Sequence, residues 1–196
     1  VGTDLDLLDV YSGNYHLLVI DGNGCDTTIG PILVPQIGGP LGVNATASPS
    51  QICMGSNSQL NAVGDGGTGT YTFLWESDPA GFSSDLQNPV VIPDITTTYT
   101  VTINDGFNVS TGNVTVAVND NPVADAGEDK TIPHGTSTTL HSEAFGGTGS
   151  YSWAWEPADQ LITATVQNAP TKNLYDPTIF TLIVTDNLTG CSSIGD

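Results

Sequence analysis

Positive charge is almost absent from this chain. Of 196 residues two are lysines, Lys130 and Lys172, none is arginine and 21 are acidic, which leaves a formal net charge of −19. Nucleic-acid binding rests on Lys and Arg neutralising phosphate, so nucleic acid is excluded as a partner. Anionic membrane surfaces are disfavoured for the same reason. With two cations, ion pairs can contribute little, and the fold must rest on apolar burial and backbone ladders. Long apolar runs are missing as well. Nothing approaches the roughly 18 residues that mark a membrane-spanning helix, so membrane insertion is not expected. No signal-peptide pattern and no amphipathic helix of useful length is found. The chain begins with Val1 and in mid-repeat, and reads as a mature piece of something longer. Three cysteines, Cys25, Cys53 and Cys191, are too few for a disulfide scaffold. An odd count leaves at least one thiol free or paired between chains. The three histidines, His16, His134 and His141, are scattered. None accompanies a nucleophile motif, and no Cys or His pair has zinc spacing. An enzyme is therefore not expected.

What is present is repetition. Residues 66–76 read GGTGTYTFLWE and residues 146–156 read GGTGSYSWAWE, 80 positions apart, a domain-sized period. Tyr71, Phe73 and Trp75 alternate in the first copy, Tyr151, Trp153 and Trp155 in the second. A period of two predicts a strand buried on one face. A glycine turn feeding an aromatic strand that ends in Trp fits the central strand of an immunoglobulin-like sandwich. A second strand occurs three times: YHLLVID at 15–21, YTVTIND at 99–105 and FTLIVTD at 180–186. Its closing Asp21, Asp105 or Asp186 opens a turn, because an Asp side chain bonds backbone groups two residues on.

These patterns predict an all-β protein of tandem immunoglobulin-like β-sandwiches in a linear array. Residues 1–37 are expected to hold only the C-terminal strands of one unit. Residues 38–43, rich in Gly and Pro, read as a linker. Residues 44–119 form one sandwich. Residues 120–196 form a second that lacks its last strand, since the chain stops where the first copy still has NVTVAV to come. The stretch NDNPVADAGED at 119–129 joins the two.

ADAGEDKTI, GGTGSYSWAWEPADQL, the Gln-Asn pairs at 87–88 and 167–168, and FTLIVTDNLTGC resemble the PKD-like repeats of secreted and cell-surface proteins of the Bacteroidetes type. SGNYHLLVIDGNGC is similar to the end of gliding-motility adhesin repeats. The resemblance covers nearly the whole chain. It implies an extracellular spacer, an adhesive unit, or an appendage of a polysaccharide-degrading enzyme. It also implies, in many such repeats, a Cys near the first turn paired with one after the Asp-ended strand. Here Val109 and Pro133 stand where the partners of Cys53 and Cys191 would be, so disulfides within each sandwich are not expected.

The candidate site is the joint. Asn119, Asp120, Asn121, Asp125, Glu128 and Asp129 crowd one short stretch, and calcium takes about six to eight oxygens from such groups. Calcium is the candidate cofactor, set against the plainer reading that ADAGED is a first strand and turn. Trp75, Trp153 and Trp155 could stack on sugars, which makes glycans a candidate partner. Residues kept aromatic in both copies are more simply read as core. The remaining candidate partners are other copies of the chain. Residues 1–37 of one copy would pack on the open edge of residues 122–196 of the next and propagate head to tail.

Overall fold

The computed structural model describes residues 13–34 and 38–195. Residues 1–12 of the expected partial unit therefore lie outside the described residues, as do 35–37 ahead of the linker. The described chain opens with a hairpin of β1 (Gly13–Ile20) and β2 (Asp26–Val34), antiparallel, with a register shift between Tyr15 and Leu17. The Asp21 carboxylate closes its turn, accepting from the Asn23 and Cys25 amides at 2.8 Å each. Both faces of this hairpin are open: Leu17, Leu18, Ile20, Ile32 and Leu33 are all more than half exposed.

The first sandwich runs through β3 (Gly42–Ser48), β4 (Gln51–Cys53), β5 (Ser58–Asp65), β6 (Thr72–Asp78), β7 (Ser83–Ser84), β8 (Val90–Val91), β9 (Thr97–Asn104) and β10 (Val109–Asn119). One sheet has the order β3-β5-β8, the other β4-β10-β9-β6-β7. The expected linker is shorter than its Gly and Pro content suggested, because Gly42 and Val43 already pair with Asp65 and Gly64. Alternation decides what faces inward. Leu60 and Ala62 of β5, Trp75 of β6, Tyr99, Val101 and Ile103 of β9, and Val116 of β10 form the buried core. The last strand pairs antiparallel with β9, and its end pairs parallel with β4 through Ala117, Val118 and Asn119.

The second sandwich holds β11 (Val123–Asp125), β12 (Thr139–Leu140), β13 (Glu143–Phe145), β14 (Tyr151–Glu156), β15 (Ala169–Pro170), β16 (Thr181–Asp186) and β17 (Ser192–Gly195). Strands β14-β16-β17 form one sheet, and the pairs β11-β13 and β12-β15 lie opposite. The strand equivalent to β5 is split at Ser142, whose buried hydroxyl donates to the Gln167 carbonyl at 2.7 Å. Trp155, Leu161, Ala169, Leu182 and Val184 make the core. The last strand is not missing outright: Ser192–Gly195 pairs with Leu182–Thr185. It covers only the first part of the path that β10 takes in the first sandwich.

The repeated glycines have a local cause. Gly67 and Gly147 sit at φ +54° and +56°, and a Cβ there would lie 2.2 and 2.4 Å from a carboxylate oxygen of Asp105 and Asp186. Each turn must come that close because Asp105 accepts from the Thr68, Phe107 and Asn108 amides. Asp186 likewise accepts from the Thr148 amide and hydroxyl and from the Leu188 and Thr189 amides. One buried carboxylate thus ties two turns together at the end of each sandwich.

Candidate functional site

The joint is tighter than the sequence implied. Asn119 ends β10 and Val123 begins β11, so three residues, Asp120, Asn121 and Pro122, span the gap. Pro122 is fully buried. The Met54 amide donates to the Asn119 carbonyl at 2.9 Å, and the Asn121 side-chain amide donates to the Met54 carbonyl at 3.2 Å. Gln51 donates to the Asn119 side chain at 3.1 Å.

A disulfide joins Cys53 to Cys191, which have Cα atoms 5.5 Å apart and a sequence separation of 138. It runs between sandwiches and not within one. Cys53 ends β4, the strand that pairs with the last residues of β10 and so lies beside the joint. Cys191 sits in the turn between β16 and β17, where its amide bonds Thr189 Oγ1 at 3.3 Å and it is 1% exposed. Closing a loop of that length removes about 5 kcal/mol of chain entropy from the unfolded state, on the loop-entropy view. Cys25 is a free, exposed thiol.

The six acidic and amide residues singled out from sequence are not drawn to one point. Asn119 and Asn121 hold the joint as described. Asp120 is exposed. Asp125 closes a turn by accepting from the Gly127 amide at 2.9 Å. Glu128 and Asp129 lie on the wall of a groove further along. Among the described residues no group of three or more His, Cys, Asp or Glu side chains is placed to hold a metal ion. Asn121 Oδ1 is buried and without a hydrogen-bond partner.

The aromatic residues divide clearly. Trp75 and Trp155 are 0% and 2% exposed. Their indole N–H groups donate to the carbonyls of Gln87 and Val166 at 3.2 Å each. The matching glutamines hold those loops, Gln87 donating to the Ala62 carbonyl and Gln167 to that of Ser142. Trp153 alone is half-buried, packed against the second core and edge-on to Tyr151 at 6.1 Å. Both lysines bond backbone carbonyls, Lys130 that of Thr139 and Lys172 that of Asp159.

The groove, of about 770 Å³, lies in the second sandwich between residues 126–134 and residues 174–180, over Leu140 and Trp155. It was not anticipated as a site.

No protein-family model and no curated protein matches the chain. Several solved structures are similar. The three N-terminal domains of the Highly Immunogenic Outer Capsid protein of bacteriophage RB49 align over 79% of this chain and 57% of theirs, at 14% identity and TM-score 0.38. The N-terminal eight Ig domains of Down Syndrome Cell Adhesion Molecule align over 94% of this chain and 26% of theirs, at 15% identity and TM-score 0.49. A three-Ig-domain fragment of titin aligns over 95% and 82%, at 12% identity and TM-score 0.40. The chain spans little more than half of the first of these and about a quarter of the second. The two-sheet topology and the buried Trp of β6 and β14 define the class from the chain itself: a tandem of immunoglobulin-like β-sandwiches.

Proposed function

We propose that this chain is a non-catalytic structural or adhesive segment of an extracellular protein, built to pass tension along its length. The Cys53–Cys191 disulfide carries the reading. A pull entering before Cys53 and leaving after Cys191 crosses the disulfide and bypasses nearly everything between. Both sandwich cores then sit largely outside the line of force. Disulfides also persist in oxidising compartments, which supports a location at the cell surface or beyond. Pulling single molecules with the bridge intact and with it reduced is the test. The resemblance to PKD-like repeats points the same way. The alternative, a glycan-binding accessory module, would need exposed rings, and Trp153 is the one tryptophan with an open face.

Two finer readings belong here. The exposed apolar residues of hairpin β1–β2 support head-to-tail assembly of copies by strand complementation. Calcium at the joint is supported by composition and by the unpartnered Asn121 Oδ1. Its ligands would have to come in part from amide and carbonyl oxygens. Melting at millimolar calcium and again with chelator checks it: a higher transition with calcium is expected, and an unchanged profile removes the cation from the account.

A further inference from the structure

Each side of the joint holds its own share of the connecting residues. The Met54 amide and the Gln51 side chain bond Asn119, and the Asn121 side-chain amide bonds the Met54 carbonyl. Residues up to Asn121 therefore move with the first sandwich. Pro122 is fully buried and Val123–Asp125 is paired with Glu143–Phe145, so the chain from Pro122 onward moves with the second. A proline ring fixes its own φ. The freest motion between the units is then rotation about ψ of Asn121, within the extended range open to a residue before proline. Little besides the disulfide opposes that rotation. Among the described residues no hydrogen bond joins residues 38–121 to residues 122–195. Met54, Val123, Phe145 and Leu188 flank the joint and are all exposed, so no apolar interface closes over it. Both sandwiches carry net negative charge, which drives them apart. Asn121 Oδ1 is buried without a partner, an arrangement that favours opening to water. The Cys53–Cys191 bridge is the covalent tie that spans the gap beside the chain itself.

We propose that the joint is a redox-gated hinge. The disulfide fixes the angle between the sandwiches, and its reduction frees rotation at Asn121 while both sandwiches stay folded. The two cores are built from separate sets of strands, one around Trp75 and one around Trp155, so neither is assembled through the bridge. The turns that carry the cysteines are closed by their own backbone bonds. The Ser56 amide donates to the Cys53 carbonyl at 2.9 Å, and the Asp186 amide to the Cys191 carbonyl at 2.8 Å. Cys191 is 1% exposed and Cys53 half-buried, so a reductant meets the Cys53 sulfur first. A dithiol supplies the two electrons. One of its thiolates bonds the Cys53 sulfur and displaces that of Cys191. Its second sulfur then displaces Cys53 and closes the reductant's own disulfide, and the two protons of the dithiol end on the two cysteines. In an oxidising compartment the locked form is the resting one. Angle is a different property from the length that bears on tension, so the two readings stand or fall separately.

The test uses the whole chain carrying Cys25→Ser, so that no other thiol responds, with chelator present to keep cations from the joint. NMR relaxation of the backbone amides reads the tumbling of each sandwich separately. In the oxidised chain both sandwiches should share one rotational correlation time. With a dithiol added, both should keep their dispersed signals while the common tumbling is lost and both correlation times shorten. Cys53→Ser should behave as the reduced chain does and no longer respond to the dithiol. Should that variant not fold, the dithiol arm decides alone. Common tumbling that survives reduction overturns the proposal, as does independent tumbling in the oxidised chain. Loss of dispersed signals from either sandwich on reduction overturns it too, because the bridge would then hold a fold and not an angle. A pulling experiment that shows no difference between the oxidised and reduced protein would remove the tension reading and leave the hinge standing.

Discussion

At the scale of single residues, two pairs do most of the specifying. Trp75 and Trp155 fill the two cores, each with its indole N–H satisfied by a loop carbonyl. Trp75→Ala or Trp155→Ala should each cost about 3–5 kcal/mol, read by chemical denaturation, with the sandwich left intact retaining its own transition. A cost near zero would mean that the indole is not in the core. Asp105 and Asp186 are the second pair. Hydrogen bonds from the Thr148 amide above all, and then from the Thr148 hydroxyl and the Leu188 and Thr189 amides, outweigh burial and hold Asp186 down at about 2. Asp105 is lowered too, chiefly by the Asn108 and Phe107 amides. A carboxylate lowered on folding contributes stability above its unfolded value, near 4, and that contribution is lost as pH falls through its folded value. The second sandwich should therefore lose stability between about pH 4 and pH 2. Asp186→Asn should be less stable at neutral pH and show a flatter profile across that window. An equally steep profile in the variant would assign the acid sensitivity to other groups.

At the scale of elements, the sequence displayed some features plainly and hid others. The aromatic strands β6 and β14 and the Asp-ended strands β1, β9 and β16 were legible because alternation and turn chemistry are local. Glycine before the aromatic strand was legible as a turn. Its reason, the approach of a carboxylate from a strand 38 residues on, was not. The short strands β7, β8, β12 and β15 carry almost no periodicity, and only the topology reveals them. The stretch 119–129 read as a joint, whereas only Asp120, Asn121 and Pro122 lie between β10 and β11, because Val123–Asp125 is already paired with Glu143–Phe145. The disulfide was out of reach for a related reason. Cys53 and Cys191 belong to different repeats, and only the packing of β4 beside the joint brings them within bonding distance. The groove was not legible, because residues 126–134 and 174–180 that flank it carry no strand periodicity.

At the scale of the whole molecule, tandem sandwiches alone would make a chain of independent units. The Cys53–Cys191 bridge changes that by closing a sequence separation of 138 into one loop whose ends meet at the joint. The reading as a tension-bearing extracellular segment depends on this closure more than on any surface site. It also separates the mechanical behaviour of the oxidised and reduced protein cleanly. Pulling single molecules from positions before Cys53 and after Cys191, with and without reductant, tests the claim most directly. Released between Cys53 and Cys191, the chain would add roughly 450–500 Å of length at about 3.3–3.6 Å per residue. The account predicts that this length stays hidden in the oxidised protein at any force that leaves the disulfide intact, and appears as unfolding steps once the bridge is reduced. The same full extension from the oxidised protein would contradict it.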